Sequence, residues 1–450
     1  MLGFGKSSRD PLADGKSVDR WLATFPATDP LAIQRAVMEE LAVVAGREAK
    51  RTPAKLEAVF RADRRTDALR TTLTSQYIEH SSRSAKIEQQ LWSALFDLAQ
   101  SFLLAYQAFA TEISAREQSP KWQLLLPELI VRQVINMGRD AKVRLFRYEQ
   151  WIPAKWAEFH ALFALTCSRQ IERHPIVMES DGGTTTIEQE YMSVLLLHLM
   201  NSGNMTARHL EWVAGEIGEW GQPLRFKLEA SADTAFYVDL AAREGLKRRP
   251  PVPLEGRVLF LDTRPLHAML MQNVIVLEEK IKNQPLSDRT SQRAEQLNLM
   301  TKLAAQVDPD FKPFARRGER TAAEGTVDAI VGFGKICGFL KEEERDPDPR
   351  MDTGTSFDST MELAVFGHMR NERDRRMEMS RRRLSSFAAP GGPWEVKDIS
   401  QTGFRLISPM SFANAVTLGT LTAIRPHGQT LWTLGIVRRM RRTMPSVHIA

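Results

Sequence analysis

Apolar residues recur at helical spacing through the first half of the chain. Leu91, Leu95, Leu98, Phe102 and Ala105 fall three or four apart, with Asp97, Gln100 and Gln107 between them, so one stripe faces a core. The segments SPKWQLLLPELIVRQVINMG (119–138) and IPAKWAEFHALFALTCSRQI (152–171) continue the pattern, with Pro127 and Pro153 as expected breaks. In DGGTTTIEQEYMSVLLLHLM (181–200), turn residues lead into Thr186, with Glu188 and Gln189 close behind and then an apolar run. That order marks a helix start. The pattern predicts a polar leader over 1–18 and an α-helical domain over 19–246, built as a bundle or a short helical solenoid.

The texture changes at LKRRPPVPLEGRVLFLDTRPL (246–266), where prolines and a basic cluster precede RVLFL, a short strand. Residues 247–312 are expected to form a connecting segment with a short strand and a helix. After Pro313 the period shortens to two. In TVDAIVGF, Val327, Ala329, Val331 and Phe333 face one way. In WEVKDIS, Trp394 and Val396 oppose Glu395 and Lys397. FRLI, VTLGTLTAI and LWTLGIVRR follow, the last two joined by RPHGQT as a hairpin. A run of short strands over 313–450 predicts a small antiparallel β-barrel. Residues 338–392 interrupt it with a charged, Pro-containing loop and a helical stretch that ends in the basic block Arg381–Arg383. The expected fold class is therefore α+β and multidomain, with helices first and a β-barrel carrying a helical insertion last.

Charge sharpens this division. The formal net charge is +6, and residues 313–450 carry 21 Lys and Arg against 16 Asp and Glu, so the excess sits in the last third. An anionic partner is expected there. Cys167 and Cys337 are too few and too far apart for a disulfide framework, which points to a reducing, cytoplasmic compartment. The N-terminus lacks the apolar core of a signal peptide. The most apolar stretches read as buried helices, so no transmembrane segment is expected.

Chemistry-bearing motifs are sparse. GFGKSS (3–8) has no strand or glycine before it, and GFGK (332–335) has no Ser or Thr after it, so neither makes a phosphate loop. The nine histidines are scattered, and no HExxH, Cys/His cluster or nucleophile elbow occurs. His198 within LLLHLM reads as a core histidine. An enzyme is disfavoured. The block RNERDRRMEMSRRRL is interleaved with acids and lacks an aromatic platform, so a solvated helix face is expected there rather than a nucleic-acid site.

Two spacings remain. Arg316 and Arg320 form Arg-x-x-x-Arg just before a strand, with Arg317 beside them, and Asp398, Ser400 and Gly403 form Asp-x-Ser-x-x-Gly between two strands. In this order and context, over roughly the last third of the chain, they resemble the PilZ domain, a small β-barrel family that binds the bacterial second messenger cyclic di-GMP. The resemblance implies cyclic di-GMP as the ligand. Arg316 and Arg320, helped by Arg317, would clamp phosphate and guanine, and Asp398 would accept from guanine N–H groups. Ser400 would supply a hydroxyl contact, and Gly403 would let the backbone turn tightly and approach the ligand. Guanidinium forks suit both phosphate and the O6/N7 edge of guanine. The family's two motifs lie about one strand apart, whereas here residues 338–392 intervene, and loop entropy tolerates such an insertion. Read without the resemblance, the same residues make a turn with arginines solvated or paired with Glu319 and Glu324, and Asp398 and Ser400 close an Asx-type turn.

The sequence thus predicts a cyclic di-GMP receptor whose helical domain engages a protein partner of unknown identity, with homodimerisation open. The alternative is an interaction scaffold with a barrel that binds no nucleotide.

Overall fold

A computed structural model describes residues 10–26, 28–80, 84–116, 118–178, 183–201, 203–250, 252–254, 256–283, 291–311, 320–344, 393–400, 403–409, 416–426, 431–443 and 446–449. The chain divides into two compact units, Met1–Lys312 and Pro313–Ala450.

The first unit opens with α1 (Gly15–Leu22), α2 (Pro30–Ala45), α3 (Pro53–Arg65), α4 (Asp67–His80), α5 (Ala85–Ala115), α6 (Pro120–Phe146) and α7 (Pro153–Arg169). Four of these begin on proline, whose missing N–H costs nothing in the first turn. Asp29 and Thr52 cap two of them by accepting from the backbone N–H groups of Ala32 and Lys55. The long helices α5 and α6 pack on each other. Leu91, Leu95, Leu98, Phe102 and Ala105 are all buried, as the spacing predicts. Pro153 does begin a helix, but Pro127 breaks nothing and lies inside α6. Trp122, Leu126, Leu129 and Ile130 are buried on either side of it, so packing against the core holds the helix through the lost bond.

A buried charge hub ties four of these helices together. Asp63 on α3 is 1% exposed. Its Oδ1 accepts from Arg70 (2.6 Å) and Arg139 (2.8 Å), and its Oδ2 accepts from the Tyr106 hydroxyl (2.9 Å) and Asn136 (3.0 Å). The Arg132 guanidinium stands 3.5 Å away. Burial by itself would raise the carboxyl pKa, but Arg139, Arg70, Arg132 and the Tyr106 hydroxyl hold it well below the ordinary range.

Beyond α7, the strands β1 (Ile176–Val177) and β2 (Thr184–Thr185) pair, and α8 (Ile187–Met200) and α9 (Ala207–Trp220) follow. The helix start read at Thr186 is a full capping box. Its hydroxyl accepts from the Gln189 N–H, and the Gln189 side chain accepts from the Thr186 N–H. Thr186→Ala is expected to lower stability by about 1 kcal/mol in urea unfolding.

On α8, His198 packs beside Trp156 and Trp151, with ring centroids 4.7 and 5.1 Å away. Burial pushes its pKa down to about 3 from 6.5. Between those values the unfolded chain takes up a proton that the folded chain refuses, so stability falls as pH drops through that window. His198→Leu is expected to flatten this acid-side slope in pH-dependent urea unfolding. An unchanged slope would show that the proton is not withheld.

Next come β3 (Phe226–Lys227), β4 (Phe236–Asp239), β5 (Lys247–Arg248) and β6 (Val258–Leu261), which form an antiparallel sheet in the order β3-β6-β4-β5. RVLFL is a strand as expected. Those at Phe226 and Phe236 stand where helix was expected, being too short to show a period. The helices α10 (Arg264–Lys282) and α11 (Ser291–Val307) complete the unit, and Leu261, Leu270, Leu303 and Val307 belong to the same core as α5 and α6. No helix among the described residues is long and apolar enough to cross a membrane.

The second unit is an antiparallel sheet that curls into a half-barrel. Its strands are β7 (Thr321–Ala322), β8 (Thr326–Val331), β9 (Trp394–Ser400), β10 (Gly403–Pro409), β11 (Leu421–Pro426), β12 (Thr433–Ile436), β13 (Met440–Thr443) and β14 (Ser446–Ile449). The order is β12-β11-β8-β9-β10-β14-β13, and β7 pairs with β9 beside β8. Trp394 and Val396 are buried and Glu395 is exposed, so the predicted alternation holds on β9. On β8 it ends early. Val327, Ala329 and Val331 are buried, but so is Ile330 between them, and Phe333 is 70% exposed and opens the helix α12 (Phe333–Glu344). Gly332 makes this turn at φ +95°, a conformation that suits glycine. Residues 338–344 of the expected insertion thus belong to α12, and the rest of 338–392 lies outside the described residues.

Candidate functional site

The strand β9 carries Asp398 between two neighbours, β7 on one edge and β10 on the other. On the β7 side, Ala322 lies opposite Asp398 and Thr321 opposite Ile399, which brings the preceding residue, Arg320, to the end of the carboxylate. Arg320 Nη1 donates to Asp398 Oδ1 at 2.8 Å. The two residues are 78 positions apart in the chain. The Asp398 side chain is 12% exposed and that of Arg320 is 34% exposed, so the pair sits at the lip of the sheet, where a dissolved partner can reach the guanidinium.

On the β10 side, the register Ser400↔Gly403, Phe404↔Ile399 and Arg405↔Asp398 sets a second arginine against the same carboxylate. Arg405 Nε lies 2.8 Å from Asp398 Oδ2. Asp398 therefore holds two guanidiniums, one on each oxygen. A β-bulge between Arg405 and Leu406 shifts the pairing there.

Of the residues singled out in the sequence, Arg320 and Asp398 come together. Ser400 and Gly403 stand at the ends of the β9–β10 hairpin, where the Ser400 hydroxyl donates to the Gly403 carbonyl at 3.2 Å. Gly403 begins β10 without a positive φ. A Cβ added to it would meet nothing within 4 Å. Arg316 and Arg317 lie outside the described residues, as does Glu319.

Arg405 was missed in the sequence, although a signal was present. A two-residue hairpin between DIS and GFR pairs 400 with 403, and counting back along both strands sets 405 against 398. A second missed pair, Arg425 and Asp328, joins β11 to β8 at 2.6 Å, with Trp432 packed on the guanidinium at 4.8 Å. Arg425 is only 4% exposed, which marks the pair as part of the sheet's interior. No cluster of His, Cys, Asp or Glu suited to a metal ion occurs among the described residues.

Residues 16–231 match the family model described as "Cyclic-di-GMP receptor FimW, N-terminal domain". The matched stretch runs from α1 to β3, inside the first unit, and does not include the strands that carry Arg320, Asp398 and Arg405. Neither a curated protein nor a solved structure matches the chain.

Proposed function

We propose that this chain is a cyclic di-GMP receptor, not an enzyme, which binds its ligand on the half-barrel and passes the event to a protein partner through the helical unit. The observation that carries the reading is the family match over 16–231, whose description names a cyclic di-GMP receptor. The arginine and Asp-x-Ser-x-x-Gly motifs, read in the other unit, lead to the same ligand from unrelated residues. The contact between Arg320 and Asp398 supports a PilZ-like site, because those motifs must meet for either to work.

In this reading Arg316, Arg317 and Arg320 grip phosphate and guanine, while Asp398 accepts from guanine N1–H and N2–H. Ser400 lends its hydroxyl, and the open space at Gly403 admits the ligand. A fork of N–H donors matches both the phosphate oxygens and the guanine edge. Signalling then requires that the ligand favour one arrangement of the protein over another. A cytoplasmic setting, where the messenger is made and read, belongs to the same proposal.

A scaffold without nucleotide has two observations in its favour: Asp398 is already paired with two arginines, and the Ser400 hydroxyl is already bonded to Gly403. Hydrogen–deuterium exchange on the full chain, with and without cyclic di-GMP, separates the two readings. The receptor reading expects slowed exchange at 394–400 and 403–409 together with a change in the helical unit. Unchanged exchange throughout would support the scaffold, and protection confined to the half-barrel would remove the coupling.

A further inference from the structure

We propose that Arg405 is a further ligand-binding arginine, held ready by Asp398 and turned toward the phosphates of the bound messenger. The inference rests on the receptor reading above and adds to it a residue outside both sequence motifs.

The argument begins with charge. Asp398 carries one negative charge and meets two guanidiniums, Arg320 from before β7 and Arg405 from β10, each at 2.8 Å. One carboxylate can accept from both, yet it neutralises only one of them. The remaining positive charge sits at the rim of the sheet, where the Arg405 side chain is 50% exposed. A structural ion pair needs a single partner. Among the described residues no second carboxylate pairs with either arginine, and a ligand with two phosphates supplies what would balance the second cation.

Geometry gives the same direction. The contact to Asp398 runs through Arg405 Nε, at the base of the guanidinium plane. Four of the five guanidinium donors are on the terminal nitrogens, and with half of the side chain exposed a dissolved anion can approach them. The surroundings are cationic as well. Burial first, and then Arg441, Arg405 and Lys397, hold the His448 imidazole below its ordinary range. Those groups come from β13, β10 and β9, with Glu395 the nearby counter-charge, hydrogen-bonded to Lys397. An anion arriving at Asp398 from this side thus meets an attractive field.

Ligand entry would then exchange partners around one carboxylate. Arg320 and Arg405 swing from Asp398 onto phosphate oxygens, and the freed carboxylate oxygens accept from the guanine N–H groups. No bond is made or broken other than hydrogen bonds, and the charge on each group is unchanged. Such an exchange avoids burying any of the three charges without a partner.

The test is calorimetric titration of the full chain with cyclic di-GMP, comparing the wild type with Arg405→Ala, Arg405→Gln and Arg405→Lys. Arg405→Ala and Arg405→Gln are expected to bind about 10- to 100-fold more weakly, the range for losing a hydrogen bond to a charged group. Arg405→Lys should recover only part of the loss, because an ammonium keeps the charge without the fork. The salt dependence of binding should also be shallower in the two neutral variants, a readout that a purely structural role would not move. Arg405→Gln keeps most of the side-chain length, so the comparison survives if Arg405→Ala folds poorly. Binding within about 2-fold of wild type in a folded neutral variant, or tighter binding, would overturn the proposal. If the wild type itself fails to bind, the receptor reading falls, and the role of Arg405 falls with it.

Discussion

Arg320→Ala is expected to weaken cyclic di-GMP binding by about 100-fold, equivalent to about 2.7 kcal/mol. Two losses combine in this figure. One charge-assisted contact to the ligand disappears, and Asp398 loses the donor that sits 2.8 Å from its Oδ1. With Arg320 gone, Arg405 is the one guanidinium among the described residues still paired with Asp398, so it alone of the two is left to turn onto phosphate while guanine takes up the carboxylate. The loss should appear in the dissociation rate more than the association rate, because the contact is short-range. Stopped-flow binding separates the two rates. Arg320→Lys should fall between wild type and Arg320→Ala.

The second large effect concerns stability. Asp63→Asn is expected to lower the unfolding free energy of the first unit by about 3–5 kcal/mol, because it leaves Arg70, Arg132 and Arg139 around a neutral side chain. Urea unfolding followed by the helical signal measures it, and a loss under about 1 kcal/mol would contradict the role assigned to Asp63. The pH dependence has a definite sign. The folded carboxyl is held below its ordinary pKa of 3.8, so its contribution is fully present above that value. It is lost as pH falls toward the folded value, because the unfolded chain gains the proton first. At neutral pH the wild type therefore keeps the whole contribution, and the difference between wild type and Asp63→Asn should shrink only in acid. The residue lies within the stretch matched by the receptor family model, so a folded first unit is needed before any binding result on this chain can be read.

The helical half was legible wherever periodicity had room to develop. The stripe from Leu91 to Ala105 repeats for long enough that only a helix satisfies it, and Thr186 with Gln189 gave the start of α8 to the residue. What escaped was short or overridden. The strands at Phe226 and Phe236 span two and four residues, too few to display alternation. Pro127 read as a break because local rules disfavour proline inside a helix, yet the buried residues flanking it outweigh one lost hydrogen bond. Phe333 continued the period of β8 by residue type alone, whereas Gly332 had already turned the chain.

The candidate site was legible only in part, for a related reason. Motif spacing identified Arg320 and Asp398 separately, and their meeting depends on β7 pairing with β9, a contact between residues far apart in sequence. Arg405 belongs to no motif. Its place beside Asp398 follows from hairpin register, which a reading of motifs alone does not consult. The buried pair Arg425 and Asp328 likewise depends on β11 lying beside β8, and nothing in either segment announces the other.

The most direct measurement is a calorimetric titration of the full chain with cyclic di-GMP, run in parallel on wild type and Asp398→Ala. Saturable binding by the wild type, lost or weakened at least about 100-fold in a folded Asp398→Ala protein, is the predicted result. Absence of binding by the folded wild type, or equal binding by both proteins, would contradict a cyclic di-GMP site at Asp398.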